Sequence, residues 1–193
     1  MNRACLFVIS GPSAVGKSSV VKEILKIDKT IDRIVTCTTR PKRESEKHGE
    51  DYFFLKKNEF LREINNGNLI EFSEVYGNYY GIMLSAINEK INNGRDSILI
   101  INWEGFLKIK NAIPEGVYGI FILPPSIETL KTRIHQRRED SPEAINHRIN
   151  MAREDMDKSK FYDFCFKNFE IAATAEDVLM KINDIRKNKV INS

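Results

Sequence analysis

The stretch that decides the fold is residues 4–27, which read ACLFVISGPSAVGKSSVVKEILKI. Residues 4–9 are continuously apolar, which is typical of a strand buried on both faces of a parallel sheet. After the glycine-containing turn, apolar residues recur at helical spacing, at positions 20, 21, 24, 25 and 27. A buried strand, a turn and an amphipathic helix in this order predict the start of an α/β fold.

The turn in this stretch, GPSAVGKS at residues 11–18, matches the phosphate-binding pattern GxxxxGK[ST] in its required place between strand and helix. Glycines let the backbone approach a phosphate, and successive N–H groups and the helix N-terminus supply partial positive charge. We expect Lys17 to reach the β- and γ-phosphates of a nucleotide, and the Ser18 hydroxyl to bind Mg²⁺. A chance match is expected in roughly one chain of this length in a hundred. The predicted nucleotide-binding residues are Gly11, Pro12, Ser13, Ala14, Val15, Gly16, Lys17, Ser18 and Ser19.

Two further apolar runs, at residues 97–101 and 117–123, predict more buried strands, and a helical pattern follows each of them. A last helix is predicted near residues 175–187. This alternation of strands and helices indicates an α/β fold with a mostly parallel sheet.

Two segments interrupt the alternation. Residues 33–82 contain short β-like pieces around a helical piece at 57–66, and they predict a small α+β insertion. Residues 128–157 are helical and densely charged, with a break just before Pro142, so they predict a helical hairpin over the core. Asp140 or Ser141 is expected to cap the second helix, with Pro142 in its first turn.

The composition excludes several other classes of protein. With 193 residues, 41% of them hydrophobic and 30% charged, the chain suits one domain with a sizeable core. A net charge of +3 is too small to predict binding to nucleic acid or to a membrane. The N-terminus lacks a signal-peptide pattern, and the three cysteines fit neither a disulfide framework nor a metal site. We therefore expect a cytoplasmic protein.

The predicted insertion contains a candidate site for a second phosphorylated ligand. Arginines grip a phosphate dianion bidentately, and tyrosine hydroxyls add neutral donors. A carboxylate beside them would accept paired N–H donors from the edge of a purine. The spacing fits ordinary strand tyrosines and a solvated arginine loop equally well, so both interpretations stay open at this point. The residues concerned are Arg40, Arg43, Tyr52, Glu71, Tyr79 and Tyr80.

The motifs of the chain, taken in order, resemble those of the guanylate kinase family. The similarity is carried by GPSAVGKSS at residues 11–19, TTRPKR at 38–43, HGEDYFF at 48–54 and IEFSEVYGNYYG at 70–81, and it continues through 120–149. It implies an α/β fold of the P-loop nucleoside-monophosphate-kinase type, in which ATP with Mg²⁺ phosphorylates GMP and dGMP. The implied parts are a core (1–32, 83–127 and 158–193), an insertion that binds the nucleoside monophosphate (33–82) and a lid (128–157).

The resemblance also implies roles for individual residues. Glu71 would bind the N1/N2 edge of guanine and Thr36 its O6 side, while Asn168 would lie near the adenine of ATP. A charged helical segment such as the lid is, on its own, more typical of a solvated face with i,i+4 ion pairs. The residues implied to hold the GMP phosphate are Arg40, Arg43, Tyr52 and Tyr80. Those implied to be catalytic are Lys17, Arg43, Arg133, Arg137 and Arg148.

Four residues depart from the family pattern. Ile82 stands where a hydroxyl residue is usual, and Ile100 and Asn102 replace two aspartates that assist guanine recognition and the magnesium–phosphate environment. Phe169 replaces an acidic residue. Glu104 would either supply a compensating carboxylate or simply begin a helix, and we favour the helix.

Three functions stay open at the level of the sequence. The first is an ATP:GMP phosphotransferase with ATP and GMP as its ligands, without nucleic-acid or membrane partners, and monomeric or homodimeric. The second is a kinase of the same fold that acts on another small phosphorylated acceptor, which Ile82 and Ile100 favour. The third is a non-catalytic guanylate-kinase-like binding module, against which the intact Lys17 and Ser18 argue.

Overall fold

The computed structural model describes residues 4–75, 77–135 and 142–191. In chain order, its elements are β1 (Leu6–Ser10), α1 (Lys17–Ile27), β2 (Asp32–Arg33), β3 (Cys37–Thr38), β4 (Phe53–Phe54), α2 (Lys57–Asn65), β5 (Leu69–Val75), β6 (Asn78–Met83), α3 (Leu84–Asn92), β7 (Ser97–Ile100), α4 (Trp103–Ala112), β8 (Val117–Leu123), α5 (Ile127–His135), α6 (Pro142–Asp157), β9 (Phe164–Lys167) and α7 (Ile171–Ile191). The expected alternation of strands and helices is confirmed.

Five parallel strands form the larger sheet, in the order β2-β7-β1-β8-β9. The central strand, β1, sends alternate side chains into two different apolar clusters. Phe7 and Ile9 pack with residues of α1, α5 and α7, whereas Leu6 and Val8 pack with residues of α3 and α4. Burial on both faces explains the unbroken apolar run that predicts this strand. The strands predicted at 97–101 and 117–123 are present as β7 and β8.

The predicted insertion forms a second sheet, in the order β4-β3-β6-β5. β5 and β6 are an antiparallel hairpin, and β3 pairs with β6 through Thr38↔Tyr80. The sequence predicts β-like pieces at 34–38 and 51–55, but only two residues of each belong to a strand. The first piece is shortened because the chain crosses between sheets there: Ile34 N still donates to Ile98 O of the larger sheet.

The charged segment predicted as a helical hairpin is present as α5 and α6, and Pro142 is the first residue of α6, as expected. Leu130, Ile134 and Ile149 are buried in the same apolar cluster as Phe7, so the hairpin packs on the core. The expected caps Asp140 and Ser141 lie outside the described residues.

Two helices differ from the prediction. The sequence analysis missed α3, although Leu84, Ile87 and Ile91 have helical spacing. α7 is longer than predicted, because it begins at Ile171.

Within the described ranges, we find no helix that is both long and apolar enough to cross a membrane.

Candidate active site

The phosphate loop joins β1 to α1 through three residues with positive φ: Gly11 (145°), Ala14 (63°) and Gly16 (103°). A Cβ at Gly11 would collide with the carbonyl oxygen of Ile122, and one at Gly16 would lie 2.5 Å from Asn168 Nδ2. Glycine is therefore required at both positions by conformation and by space. A backbone of this kind turns successive N–H groups toward a bound anion.

The N-terminus of α1 is left open at this loop. Gly16 caps the helix without a side-chain hydrogen bond, and residues 17–20 include no acidic side chain. Ser18 and Ser19 are exposed in the same turn. The helix dipole is thus not offset by an acidic side chain in this turn, and a phosphate suits such a helix end.

Lys17 places its ammonium group against the phosphate loop. Its Nζ donates to the carbonyl oxygens of Gly11 at 2.7 Å and Pro12 at 2.8 Å. Phosphate oxygens are charged acceptors and bind an ammonium group more strongly than neutral carbonyls do. The lysine is therefore already positioned to exchange these contacts for a bound polyphosphate.

Asn168 and Arg133 brace the loop through the carbonyl of Val15. Asn168 is 1% exposed, and its Nδ2 donates to Val15 O at 2.7 Å while its Oδ1 accepts from Thr174 Oγ1 at 3.1 Å. Arg133 NH1 donates to the same Val15 oxygen at 3.3 Å. The Asn168 amide is thus used within the protein, and its expected proximity to adenine stays a prediction. Phe169, the next residue, is 70% exposed.

The donor groups at the loop fit a magnesium ion that is bound mainly by phosphates. Mg²⁺ prefers oxygen ligands and keeps several waters, with only one or two ligands from the protein. The Ser18 hydroxyl is an exposed oxygen at the start of α1. The described part of the chain contains no cluster of three or more His, Cys, Asp or Glu side chains able to hold a metal by themselves.

Arg40 and the backbone of Arg43 contact a carboxylate, Glu46, that was not among the predicted site residues. Arg40 NH2 donates to both oxygens of Glu46, at 2.7 and 2.9 Å, and the backbone N–H of Arg43 donates to Glu46 Oε2 at 2.9 Å. Burial works to raise the pKa of Glu46, but the hydrogen bonds from Arg40 and Arg43 N lower it below the usual glutamate range. The Arg40 guanidinium is therefore held in place by a carboxylate of its own loop. The signal in the sequence is a glutamate three residues after Arg43 in a basic loop.

Tyr52 and Tyr80 lie beside the same arginine. The Arg40 guanidinium carbon is 5.6 Å from the centre of the Tyr52 ring, and the rings of Tyr52 and Tyr80 are 6.2 Å apart. Burial raises the pKa of Tyr52, so its hydroxyl remains a hydrogen-bond donor at neutral pH. Thr38 Oγ1 accepts from Arg40 N at 3.1 Å and donates to Tyr79 O at 2.9 Å, which fixes the arginine loop to β6. The structure thus brings Arg40, Tyr52 and Tyr80 together, as the sequence predicts.

A buried carboxylate lies farther along the smaller sheet. Glu71, on β5, is 3% exposed, and its Oε1 makes no hydrogen bond with any residue that the structure describes. Lys108 Nζ on α4 lies 3.7 Å from this oxygen. An unsatisfied buried acceptor is costly and is matched by a ligand that brings N–H donors. Thr36, the other expected base contact, is half-buried, and its carbonyl accepts from Phe53 N at 2.8 Å.

The residues that depart from the family pattern have structural roles of their own. Ile82 is 1% exposed in one apolar cluster, and Ile100 packs partly buried against the other. Asn102 caps α4, because its Oδ1 accepts from Gly105 N at 3.0 Å. Glu104 lies in the first turn of α4, in agreement with the helix-start interpretation, and its carboxylate is 3.5 Å from Lys158 Nζ.

The lid arginines are only partly described. Arg148 on α6 is half-buried, and Arg137 lies outside the described residues. α6 also carries Asp155, whose carboxylate is 3.5 Å from Lys158 Nζ. Burial raises the pKa of Asp155, and the nearby ammonium groups of Lys158 and Lys17 oppose that shift. The proximity of Asp155 on α6 to these ammonium groups is a relation that the spacing of the sequence did not indicate.

Comparison with known proteins agrees with this arrangement of a phosphate loop and an arginine–tyrosine cluster. The family model for guanylate kinase matches residues 3–185. The chain is 41% identical to a guanylate kinase from Streptococcus agalactiae over 192 residues, 98% of this chain and 91% of the relative. It is 43% identical to one from Polaromonas over 163 residues, 84% and 79% of the respective chains. The crystal structure of guanylate kinase from Anaplasma phagocytophilum superposes with a TM-score of 0.79 at 31% identity, covering 97% of this chain and 87% of that one. By this match over nearly its whole length, and with the glycine loop and the Arg40–Tyr52–Tyr80 cluster in place, the chain belongs to the guanylate kinase family.

Proposed function

We propose that this chain transfers the γ-phosphoryl group of ATP to the phosphate of GMP or dGMP, giving ADP and GDP or dGDP. The observation that carries the proposal is the Arg40 guanidinium of the insertion, which already binds both oxygens of an anionic group, the Glu46 carboxylate, at 2.7 and 2.9 Å. A phosphate loop alone suits many nucleotide-binding proteins. A phosphate loop together with a separate site for a small dianion suits a kinase whose acceptor is itself phosphorylated.

The acceptor needs little chemical activation. A phosphate monoester has a second pKa near ~6, so the nucleotide phosphate is already mostly dianionic at neutral pH. A general base is therefore unnecessary, and we assign no catalytic role to His48, His135 or His147. The barrier comes instead from bringing two polyanions into line.

Positive charge from the protein lowers that barrier. Lys17 would bind the β- and γ-phosphates, and Arg43 would bind the acceptor phosphate beside Arg40. Arg133, Arg137 and Arg148 would surround the transferred group as the lid closes and excludes water. A magnesium ion held by Ser18 and the phosphates would supply further neutralisation of charge. Arg133 supports this assignment, since its guanidinium already lies 3.3 Å from the phosphate loop at Val15 O.

Binding of the two nucleotides would use different parts of the chain. ATP would occupy residues 11–19, with Asn168 near its adenine. Arg40, Arg43, Tyr52 and Tyr80 would hold the GMP phosphate, and Glu71 and Thr36 would bind the guanine.

We further propose the division into core, insertion (33–82) and lid (128–157), a cytoplasmic location, and a monomer or homodimer. The three cysteines, which are all unpaired, support a reducing compartment.

The test is an ADP-release assay with ATP, Mg²⁺ and a panel of acceptors: GMP, dGMP, AMP, CMP, UMP and phosphorylated sugars. We expect the highest kcat/KM with GMP, and no comparable ADP release when the acceptor is omitted. Faster turnover of another acceptor would show that this acceptor, rather than GMP, is the preferred substrate. Retained ATP binding without turnover of any acceptor would instead indicate a binding module.

A further inference from the structure

Lys108 approaches the buried Glu71 carboxylate from a different part of the fold. Glu71 lies on β5 of the smaller sheet, whereas Lys108 lies on α4, which packs between that hairpin and the larger sheet. The Lys108 ammonium is 3.7 Å from Glu71 Oε1 and 5.8 Å from the centre of the Phe72 ring. The Lys108 side chain is 53% exposed and that of Glu71 only 2%. The two form an ion pair in which one member is buried and the other is accessible.

The other groups near Glu71 do not favour its ionised form. Ile82, its register partner on β6, is apolar, and the pKa of the Cys37 thiol on β3 is raised by burial to about 11, so this thiol is neutral. Glu104, on α4, and Glu63, on α2, carry negative charge on elements packed against β5. Burial raises the pKa of Glu71, Glu104 raises it further, and Lys108 opposes both. Within the described residues, Lys108 is thus the cation that works against protonation of this carboxyl.

The charge of Glu71 decides which purine edge it can bind. An ionised carboxylate only accepts hydrogen bonds, so it pairs with the adjacent N1–H and N2 amino donors of guanine. A protonated carboxyl donates one hydrogen bond and accepts another, which suits the N1 acceptor and the amino donor of adenine. A mismatch in a buried site leaves polar groups unpaired, and such a site rejects the wrong ligand strongly.

We propose that Lys108 is a specificity-determining residue that acts through Glu71: its ammonium keeps the carboxylate ionised, so that the pocket selects guanine over adenine. Lys108 is a positioning residue in this role, because it need not contact the nucleotide itself. This inference rests on the proposed function, in that it assumes GMP as the acceptor. It also gives a basis for the selection of guanine in a chain where Ile82 and Ile100 replace polar residues of the family pattern.

The experiment compares Lys108→Met and Lys108→Gln with Lys108→Arg, which keeps the positive charge. Lys110→Met is the matched control, because Lys110 lies on the same helix but pairs with Asp163 at 2.9 Å. For GMP and AMP, kcat and KM are measured from pH 5.5 to 8.5. We expect the two neutral variants to lower the GMP/AMP ratio of kcat/KM about tenfold at pH 7, mainly through KM for GMP. Lys108→Arg and Lys110→Met should stay within about twofold of the wild type.

The pH profile separates this role from a merely structural one. Removal of Lys108 raises the pKa of Glu71, and the productive form is ionised, so the acid limb of kcat/KM for GMP should move to higher pH. The variants and the wild type should then converge near pH 8.5. The Glu71 carboxyl is also titrated directly by ¹³C NMR in the ligand-free protein, with its signal assigned by its loss in Glu71→Gln. We expect a higher Glu71 pKa in Lys108→Met than in the wild type.

Each outcome decides the inference. An unchanged acid limb and an unchanged Glu71 titration in both neutral variants overturn it, even if the wild type phosphorylates GMP rapidly. Equal losses with Lys108→Arg also overturn it, because charge would then not be the cause. A wild type that leaves GMP unphosphorylated overturns the proposed function, and selection of guanine with it. That failure is recognised by the absence of ADP release before any variant is made.

Discussion

The glycine loop between β1 and α1 and the arginine–tyrosine cluster of the insertion are formed by different means. The phosphate loop uses the backbone of a single stretch, residues 11–18, with two glycines at positive φ and an open helix end. The cluster in the insertion uses side chains: Arg40 lies in the loop after β3, Tyr52 directly precedes β4, and Tyr80 lies on β6. The first site is therefore determined by local conformation, and the second by tertiary packing. Substitutions should consequently affect ATP and the acceptor in different proportions.

The largest effect is expected from Lys17→Met. This variant removes the ammonium that lies against Gly11 and Pro12, and with it the charge that would stabilise the transferring phosphoryl group. We expect kcat to fall about 10³-fold. Lys26→Met, which removes an exposed lysine from the same helix, is the control and should leave kcat unchanged. Steady-state ADP release measures both, and a loss below tenfold in Lys17→Met would remove Lys17 from the mechanism.

A smaller and one-sided effect is expected from Arg40→Ala. The arginine belongs to the insertion, so its loss should raise KM for GMP about 10²-fold while KM for ATP changes little. Arg62→Ala, at an exposed position on α2, controls for loss of charge from the same region. The two KM values are measured with the other substrate saturating. Equal increases in both would contradict the assignment of Arg40 to the acceptor.

Gly16→Ala is expected to affect ATP binding more than GMP binding, the reverse of Arg40→Ala. The new Cβ would lie 2.5 Å from Asn168 Nδ2 in a residue with φ 103°, so the loop must shift. We expect KM for ATP to rise about tenfold, with a smaller effect on GMP. Gly67→Ala is the control, because Gly67 also has positive φ (68°) but has open space around its Cα. Isothermal titration with an ATP analogue checks binding apart from turnover, and an unaltered ATP affinity would show that the loop tolerates a side chain there.

The smallest change in activity is expected from Asn102→Asp, which should increase the turnover of GMP. The aspartate oxygen can accept from Gly105 N as Asn102 does, so the cap of α4 is retained and only a charge is added. We expect GMP turnover to increase about threefold through a more favourable magnesium environment. Asn111→Asp adds the same charge elsewhere on α4 and should have no such effect. A decrease in turnover would mean that Asn102 is matched to the rest of this site.

Local signals in the sequence predicted much of this structure. The apolar run at β1, the glycine turn and the spacing of Val20, Val21 and Ile24 are each encoded within a few residues, so their structures follow from nearby chemistry. The same holds for β8, which is present with the predicted bounds. The resemblance added the arginines and tyrosines of the insertion, and the structure places Arg40, Tyr52 and Tyr80 together.

What local signals did not reveal depends on contacts between distant residues. Lys108 and Glu71 belong to separate elements, and only their packing creates the ion pair at 3.7 Å. Asn102 illustrates a different case. It stands where the family has an aspartate, and its side chain also caps α4, a role that a residue-by-residue comparison with the family does not show. Glu46 could not be predicted because its contacts with Arg40 and Arg43 N depend on how the loop folds back on itself, and an acidic residue in an irregular basic loop has no periodic signal.

The side chain of Asn168 couples the glycine loop to helix α7. Asn168 connects Val15 to Thr174 in the first turns of α7, across 153 positions of sequence. A truncation or substitution that destabilises α7 should therefore lower the affinity for ATP before it causes a general loss of structure. A defect in α7 and a defect in the glycine turn would then look alike in an ATP-binding assay, although the two regions are far apart in the sequence.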